Sequence, residues 1–316
     1  MKKSVLLLAA AFGVSGAFAQ DLTSKKGEPF LPEAGDWSIG IDATPFLNYA
    51  GNMLSSAGNT APSWNHLNAN NTIIGKMFKD EKTAYRGILR IGMNSNSWTA
   101  ETAKPTASTT TAPVFPAKSE VVEDKLKASS SFIGLGAGIE MRRGKTRLQG
   151  YYGGDAMIWS SGSKEKYTYG NALTVAGTGT VDPNVDVTDS KDWSGQGFTN
   201  LGTSLANYNG VTGTRVTESK NTAGTGKFGI GARGFIGAEY FIFPKMSIGA
   251  EFGWGLALVM NKKTTTTYEV EGSTATGGES KTDITVETSN GKSFGIDTDK
   301  NAFGTASGAL RLNLHF

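Results

Sequence analysis

The chain has 316 residues with no cysteine, 42 glycines, 38% hydrophobic residues and a formal charge of +3. The absence of cysteine excludes a disulfide-stapled secreted module, a lipid-attached amino-terminal cysteine, thiol catalysis and thiolate zinc sites. Basic and acidic residues nearly balance, which argues against nucleic acid as a partner, because binding a phosphate backbone needs a concentrated basic face.

The amino terminus predicts export. A short cationic start that includes Lys2 and Lys3 precedes a mainly apolar stretch, and small residues at Ala17 and Ala19 suit cleavage by signal peptidase. We assign residues 1–19 to a signal peptide. The apolar stretch is too short for a convincing spanning helix, and no later segment is longer and uninterrupted, so a helical membrane protein is excluded.

Eight segments of the remaining chain alternate apolar and polar residues with a period of two, as strands with one apolar face do. They are residues 37–47, 72–79, 83–94, 131–142, 146–159, 227–243, 246–260 and 302–316. We therefore predict an all-β fold of eight antiparallel strands in up-and-down order. An even number of strands places both ends of the folded domain on the same side.

The connections between these strands alternate between tight turns and long loops. Residues 79–82, 143–145 and 244–245 are tight turns, with Asp, Gly or Pro where the chain reverses. The long connections are roughly residues 48–71, 95–130, 160–226 and 261–301. This rotation is typical of a transmembrane β-barrel of the bacterial outer membrane, with periplasmic turns and extracellular loops. In the last loop, residues 264–271 and 281–288 alternate again, which predicts a ribbon that continues the seventh and eighth strands.

The two faces of the predicted strands differ in charge. Apolar residues such as Leu89, Ile133 and Trp254 share the parity predicted to face lipid. The opposite parity collects the charges, which are Asp42, Arg86, Arg90, Glu140, Arg142, Arg147, Asp155, Arg233, Glu239, Glu251 and Arg311. An arginine on the lipid face costs about 2–4 kcal/mol at the midplane. Because side chains about fill the interior of an eight-stranded barrel, we expect these charges to pair into a polar plug.

Two motifs associated with enzymes carry little weight here. Gly229, Gly231 and Gly234 match the spacing of a dinucleotide fingerprint, but they lie inside a predicted strand with no helix after it. We expect these glycines to make room in a tightly curved barrel. His66, near Ser63 in the first long loop, is the one conceivable catalytic base. We read it as a solvated loop histidine, and we predict no catalytic, cofactor or metal site.

The carboxyl terminus carries the strongest family signal. Its final strand places apolar residues at every second position and ends on an aromatic residue. The residues concerned are Leu310, Leu312, Leu314 and Phe316. This ending resembles that of bacterial outer-membrane β-barrels, in which a terminal Phe completes a signal for the barrel-insertion machinery. The resemblance implies that residues 36–316 are the barrel, that residues 20–35 are a periplasmic segment, and that both termini are periplasmic.

A narrower resemblance covers the strands but not the loops. The segment KGEPFLPEAGDWSIGIDATPF (26–46), with NTIIGK (71–76) and KTAYR (82–86), is similar to uncharacterised outer-membrane β-barrel proteins of the Bacteroidota. Small barrels of the OmpA and OmpX type are similar in architecture alone. The family supplies no motif for an activity, so the resemblance implies fold and location only.

We therefore predict an integral outer-membrane barrel with a structural or surface-interaction role. Its partners would be outer-membrane lipid, the assembly machinery, and a surface protein or glycan bound by the loops. A narrow, porin-like channel for small solutes or ions is the alternative. A membrane-lipid enzyme built around His66 is a third hypothesis. The state of the interior distinguishes the surface-interaction role from the channel. In the first case the interior is closed by pairing of charges such as Arg90, Arg233 and Arg311 with Glu140, Glu239 and Glu251.

Overall fold

The computed structural model of the protein describes residues 22–43, 49, 52, 72–104, 121–172, 191–198, 211–273, 279–288, 291–297 and 308–316. The predicted signal peptide, His66 with its neighbour Ser63, and the start of the predicted last strand lie outside the described residues. No helix in the described part of the chain is long and apolar enough to cross a membrane.

Eight antiparallel strands form a ring, as the sequence predicts. They are β1 (Trp37–Asp42), β2 (Ile73–Asp80), β3 (Thr83–Ala103), β4 (Val121–Arg143), β5 (Leu148–Thr168), β7 (Lys227–Phe243), β8 (Met246–Asn261) and β12 (Gly308–His315). Each pairs with its neighbour in this order. The ring closes where β1 pairs with β12, in a register that places Ser38 opposite His315 and Ile41 opposite Leu312. The all-β, antiparallel and eight-stranded parts of the prediction are confirmed.

The remaining strands extend the ring at one end. They are β6 (Val211–Lys220), β9 (Thr264–Ser273), β10 (Glu279–Thr288) and β11 (Lys292–Asp297). β6 pairs with both β5 and β9, and β10 pairs with β9. We call this extension the crown. It consists of β6, β9 and β10 together with residues 95–103 of β3, 121–130 of β4 and 161–168 of β5. The other end of the ring, which carries the tight turns, we call the turn end.

The predicted strand lengths were wrong on the crown side. β3 continues to Ala103, β4 begins at Val121 and β5 continues to Thr168, so much of two predicted loops is strand. The predicted ribbon of the last long loop is confirmed as β9 and β10. Two strands share the place next to β8 in the ring. β11 pairs with residues 255–260 of β8, and β12 pairs with residues 246–252 of β8.

The amino-terminal segment folds against the turn end. Its residues 22–30 form a small loop in which Phe30 donates a backbone hydrogen bond to the Leu22 carbonyl. Gly35 then donates to the Phe78 carbonyl, which leads the chain into β1. The Trp37 and Phe316 backbones exchange two hydrogen bonds of 3.1 and 2.8 Å. The first and last ring strands therefore meet at this end.

Side chains of the ring alternate between two environments. The outward parity is a belt of exposed apolar residues on every ring strand. The belt includes Ile39, Ile73, Leu89, Ile133, Ile158, Ile236, Trp254 and Leu314. The inward parity is buried and carries most of the charged side chains of the ring.

Candidate functional site: the charged interior

The interior of the ring near the turn end holds a buried network of ion pairs. It brings together eight of the charges that the sequence predicts to lie inside, and each is at most 4% exposed. They are Arg86, Glu140, Arg142, Asp155, Arg233, Glu239, Glu251 and Arg311. Because the alternation of each strand turns these residues inward, charges from β3, β4, β5, β7, β8 and β12 meet in one space.

Glu239 is the centre of the half nearest the turn end. Its carboxylate lies 2.7 Å from Arg142 Nη1 and accepts a 2.6 Å hydrogen bond from Asn313 Nδ2. Ser247 also donates to it, and His315 Nε2 lies 3.5 Å away. With Lys76 Nζ at 3.7 Å, this carboxylate has partners from β2, β4, β8 and β12. Glu239 therefore holds one side of the ring to the other.

Glu251 is the centre of the other half. Arg86 Nη1 lies 2.9 Å from Glu251 Oε2, Arg233 Nη1 lies 2.6 Å from Oε1, and Arg311 Nη2 lies 4.0 Å from Oε1. Asp155 faces Arg86 Nε at 3.4 Å and Arg233 Nη1 at 3.7 Å. The two halves join through Arg86, whose Nη1 is also 3.4 Å from Glu140 Oε2.

The pairing spans the full width of the ring. Three strands separate β3 from β8 in either direction around the ring, so Arg86 and Glu251 come from opposite walls. The same holds for Lys76 on β2 and Glu239 on β7. An ion pair of 2.9 Å between opposite walls leaves no open passage between its two side chains.

Aromatic rings line the network and stack on its cations. The Arg86 guanidinium lies 3.8 Å above the Phe235 ring, and Lys76 Nζ lies 4.8 Å from the centre of the Tyr151 ring. Arg142 lies 5.2 Å from the centre of Phe78. These contacts favour a cation that has lost its water.

Three predicted residues are placed differently from the rest. Arg90 lies closer to the crown, half-buried, with its guanidinium 4.6 Å from the centre of the Phe132 ring. Arg147 lies in the turn before β5 begins, and its guanidinium stacks 3.5 Å above the ring of Phe30. Asp42 is in β1 opposite Arg311, but its side chain lies outside the described part of the structure.

Sequence reasoning omitted Lys76, Ser247 and Asn313 from the network. Lys76 Nζ lies 2.9 Å from Glu140 Oε2 and is 3% exposed. β2 carries apolar residues on both of its faces, so its alternation gives no contrast that would mark Lys76 as inward. Ser247 and Asn313 do share the inward parity, and attention to polar as well as charged residues would have found them.

An apolar cluster lies in the interior on the crown side of the network. Ile74, Ile88, Met157 and Trp159 pack together there, each at most 8% exposed. The Trp159 ring occupies the space where a Cβ on Gly229 would lie, and it would also contact one on Gly231. Two of the three glycines that resemble a nucleotide motif, Gly229 and Gly231, are thus required by this indole, and the segment is strand, so it forms no phosphate-binding loop.

This packing yields a prediction for Gly229. Gly229→Val should destabilise the fold by about 1–3 kcal/mol, because overpacking a close contact displaces Trp159. Gly234 is the matched control, since a Cβ there would meet nothing within 4 Å. Thermal unfolding in detergent should separate the two variants, and an equally stable Gly229→Val protein would contradict the role assigned to the glycine.

The crown has a separate internal core. Leu126, Tyr167, Trp193 and Val216 are buried together, and Phe198 from the same segment as Trp193 packs against them. Asp124, which is fully buried, accepts backbone hydrogen bonds from Gly170 at 2.8 Å and from Lys191 at 2.7 Å. These contacts give the crown a defined shape.

Electrostatic contacts reinforce the crown core. Arg215 Nε lies 2.6 Å from Glu269 Oε2, and the Arg215 guanidinium stacks 4.1 Å from the centre of the Tyr169 ring. Burial raises the pKa of the Tyr167 hydroxyl, which donates a 3.0 Å hydrogen bond to Glu165. Because this hydroxyl stays protonated, it keeps the donor proton that the bond requires.

Comparison with known proteins adds no assignment, because no protein-family model and no curated protein matches the sequence.

Proposed function

We propose that the protein is an integral outer-membrane β-barrel with a closed interior and a structural or surface-interaction role. The observation that carries this proposal is the pairing of an exposed apolar belt with a buried ionic interior. Lipid is the solvent that favours such an arrangement, since a closed ring satisfies its backbone hydrogen bonds internally and exposes its apolar parity.

The orientation follows from the two ends of the ring. The tight turns suit the periplasm, and the crown suits the cell surface, as is usual for such barrels. Exposed aromatic residues lie at the turn end, among them Trp37, Tyr85, Phe243 and Phe316. Aromatic side chains of this kind favour the membrane interface. We therefore place both ends of the folded domain in the periplasm, where the assembly machinery reads the last strand.

The interior favours an anchor over a channel. The Arg86 to Glu251 pair joins opposite walls, and the cluster around Trp159 lies beyond it toward the crown. Ions would have to break buried pairs and pass an apolar cluster. The crown, with its own core, presents the surface on which a protein or glycan partner would bind. A lipid enzyme would depend on His66, which lies outside the described residues, and we propose no enzymatic activity.

A gel and a bilayer test this proposal together. The protein should fractionate with the outer membrane. On a detergent gel, the unboiled protein should migrate faster than boiled protein, because closed barrels resist unfolding by detergent. Reconstituted in a planar bilayer, it should give no steady conductance. Recovery as soluble periplasmic protein would refute the membrane assignment. Stable single-channel currents from inserted protein would instead favour the channel alternative.

A further inference from the structure

One outer face of the crown is unusually basic. Five exposed lysines lie on adjacent strands β4, β5 and β6. They are Lys125, Lys127, Lys164, Lys166 and Lys220. The register places Lys127 directly opposite Lys166 and Lys164 directly opposite Lys220. Like charges opposite each other on one face of a sheet are destabilising, so the isolated fold gains nothing from this arrangement.

The acidic residues nearby do not neutralise this face. Glu218 lies 2.7 Å from Lys164 and 2.6 Å from Lys220, so one carboxylate serves two lysines. Glu123 lies 3.0 Å from Lys125. Lys127 and Lys166 have no acidic partner in the described part of the structure. Lys263, which lies beside Asn221 at the edge of this face, does have an acidic partner, because it pairs with Glu287 at 2.9 Å.

A groove lies between these lysines and the apolar belt. It has a volume of about 560 Å³ and is lined by Met93, Ser129, Ser131, Gly162, Lys164 and Lys220, among others. Met93 pairs in register with Ser131, and the next outward pair toward the turn end is Ile91 with Ile133. The groove therefore lies at the boundary of the belt, with lysines and serines among its lining residues and an exposed apolar surface next to it.

We propose that this groove and the lysines above it bind the anionic phosphate headgroup of a membrane lipid. The inference rests on the proposed membrane location. Lysine ammonium groups are common phosphate ligands, and basic residues close to a membrane surface attract anionic lipid. Serine hydroxyls can donate hydrogen bonds to phosphate oxygens. The apolar chains of the bound lipid would run along Met93, Ile91 and Ile133, which continue directly from the groove.

Lipid titration of the full protein tests the inference. The protein in neutral maltoside micelles is titrated with dioleoylphosphatidylglycerol, and retained lipid is counted by native mass spectrometry. Lys164→Gln with Lys220→Gln, and separately Lys127→Gln with Lys166→Gln, should weaken retention by about fivefold for each lysine removed. The matched control is Lys79→Gln with Lys82→Gln, which removes two exposed lysines at the turn end, far from the groove, and should leave retention unchanged.

Further arms identify the ligand. Zwitterionic dioleoylphosphatidylcholine should be retained less than the anionic lipid. Added salt should weaken retention of the anionic lipid, because salt screens exposed charges. Excess inorganic phosphate should not displace the lipid. Displacement by inorganic phosphate would overturn the lipid assignment, and equal retention by the groove variants and the control would overturn the site. Insertion into phosphatidylcholine vesicles is scored separately by the gel shift. Inserted protein without lipid preference refutes this inference alone, whereas failure to insert refutes the proposed function.

Discussion

Glu239→Ala should destabilise the protein by about 3–5 kcal/mol, the usual result of removing one partner from a buried ion pair. The carboxylate lies 2.7 Å from Arg142 and 3.7 Å from Lys76, and both cations are nearly inaccessible to water. Without Glu239, Glu140 is the one carboxylate partner that both keep among the described residues. Asn313 and Ser247 lose an acceptor at the same time. Thermal unfolding in detergent, followed by the gel shift, measures the loss.

The control for this variant is Glu287→Ala. Glu287 also pairs with a lysine, at 2.9 Å from Lys263, but its side chain is 52% exposed. Exposed pairs contribute about 0–1 kcal/mol, so this variant should unfold close to the wild-type temperature. Equal losses in the two variants would contradict the buried network.

A second variant separates charge from packing. Combining Glu239→Gln with Lys76→Met removes one acid and one base together, so it leaves the balance of buried charge unchanged. It should recover much of the stability, because replacing a buried pair by uncharged groups is often neutral. A Glu239→Ala protein that stays folded and conducts ions in a bilayer would show that the charges gate a passage, which would favour the channel alternative.

The fold was largely predictable because one physical pattern repeats around the ring. Alternation with a period of two gives each strand an apolar and a polar parity, and the tight turns give the order of strands. The inward assignment of Arg86, Glu140 and Glu251 needed no more than that. Their pairing needed more. Arg86 meets Glu251 because β3 and β8 are opposite walls of an eight-strand ring with a particular register, and no local pattern specifies that register.

Apart from the ribbon of β9 and β10, the crown was missed for a different reason. Its strands are polar outside, and only a few inward positions are apolar. Leu126 and Tyr167, for example, alternate with lysines and threonines in segments rich in serine. A weak apolar parity with a charged opposite face resembles a solvated loop. The core forms because Trp193 and Phe198, from residues 191–198, pack against Leu126 and Tyr167. Such long-range contacts leave no periodic signal in the sequence.

Arg147 illustrates how strand ends limit this reasoning. Parity counted from the middle of β5 places its side chain inside, but the strand begins at Leu148. Beyond a strand end the pleat no longer fixes the direction of a side chain. Arg147 is held instead by the ring of Phe30, which belongs to a segment without strand periodicity.

Removal of residues 314–316 should prevent most of the protein from reaching its folded form. The last strand closes the ring, with His315 opposite Ser38 and Leu314 opposite Ile39. The truncation deletes these pairs and the two backbone hydrogen bonds between Phe316 and Trp37. It also removes His315, whose Nε2 lies 3.0 Å from Ser247 Oγ in the network around Glu239. The shortened last strand would leave the start of β1 unpaired in lipid, where an unsatisfied backbone group costs several kcal/mol.

Phe316→Ala distinguishes ring closure from recognition during assembly. This variant keeps the backbone bonds to Trp37 and removes only a side chain that is 60% exposed at the turn end. Purified protein refolded in detergent should therefore reach wild-type stability. In cells, the same variant should yield less heat-resistant barrel and more protease-sensitive precursor, because the proposed insertion signal is lost. Leu148→Ala is the matched control, since it removes another exposed apolar side chain at the turn end, 45% exposed, outside the last strand. Equal assembly of Phe316→Ala and wild type in cells would show that the terminal aromatic residue is not read, whereas normal assembly of the truncated chain would contradict closure of the ring by β12.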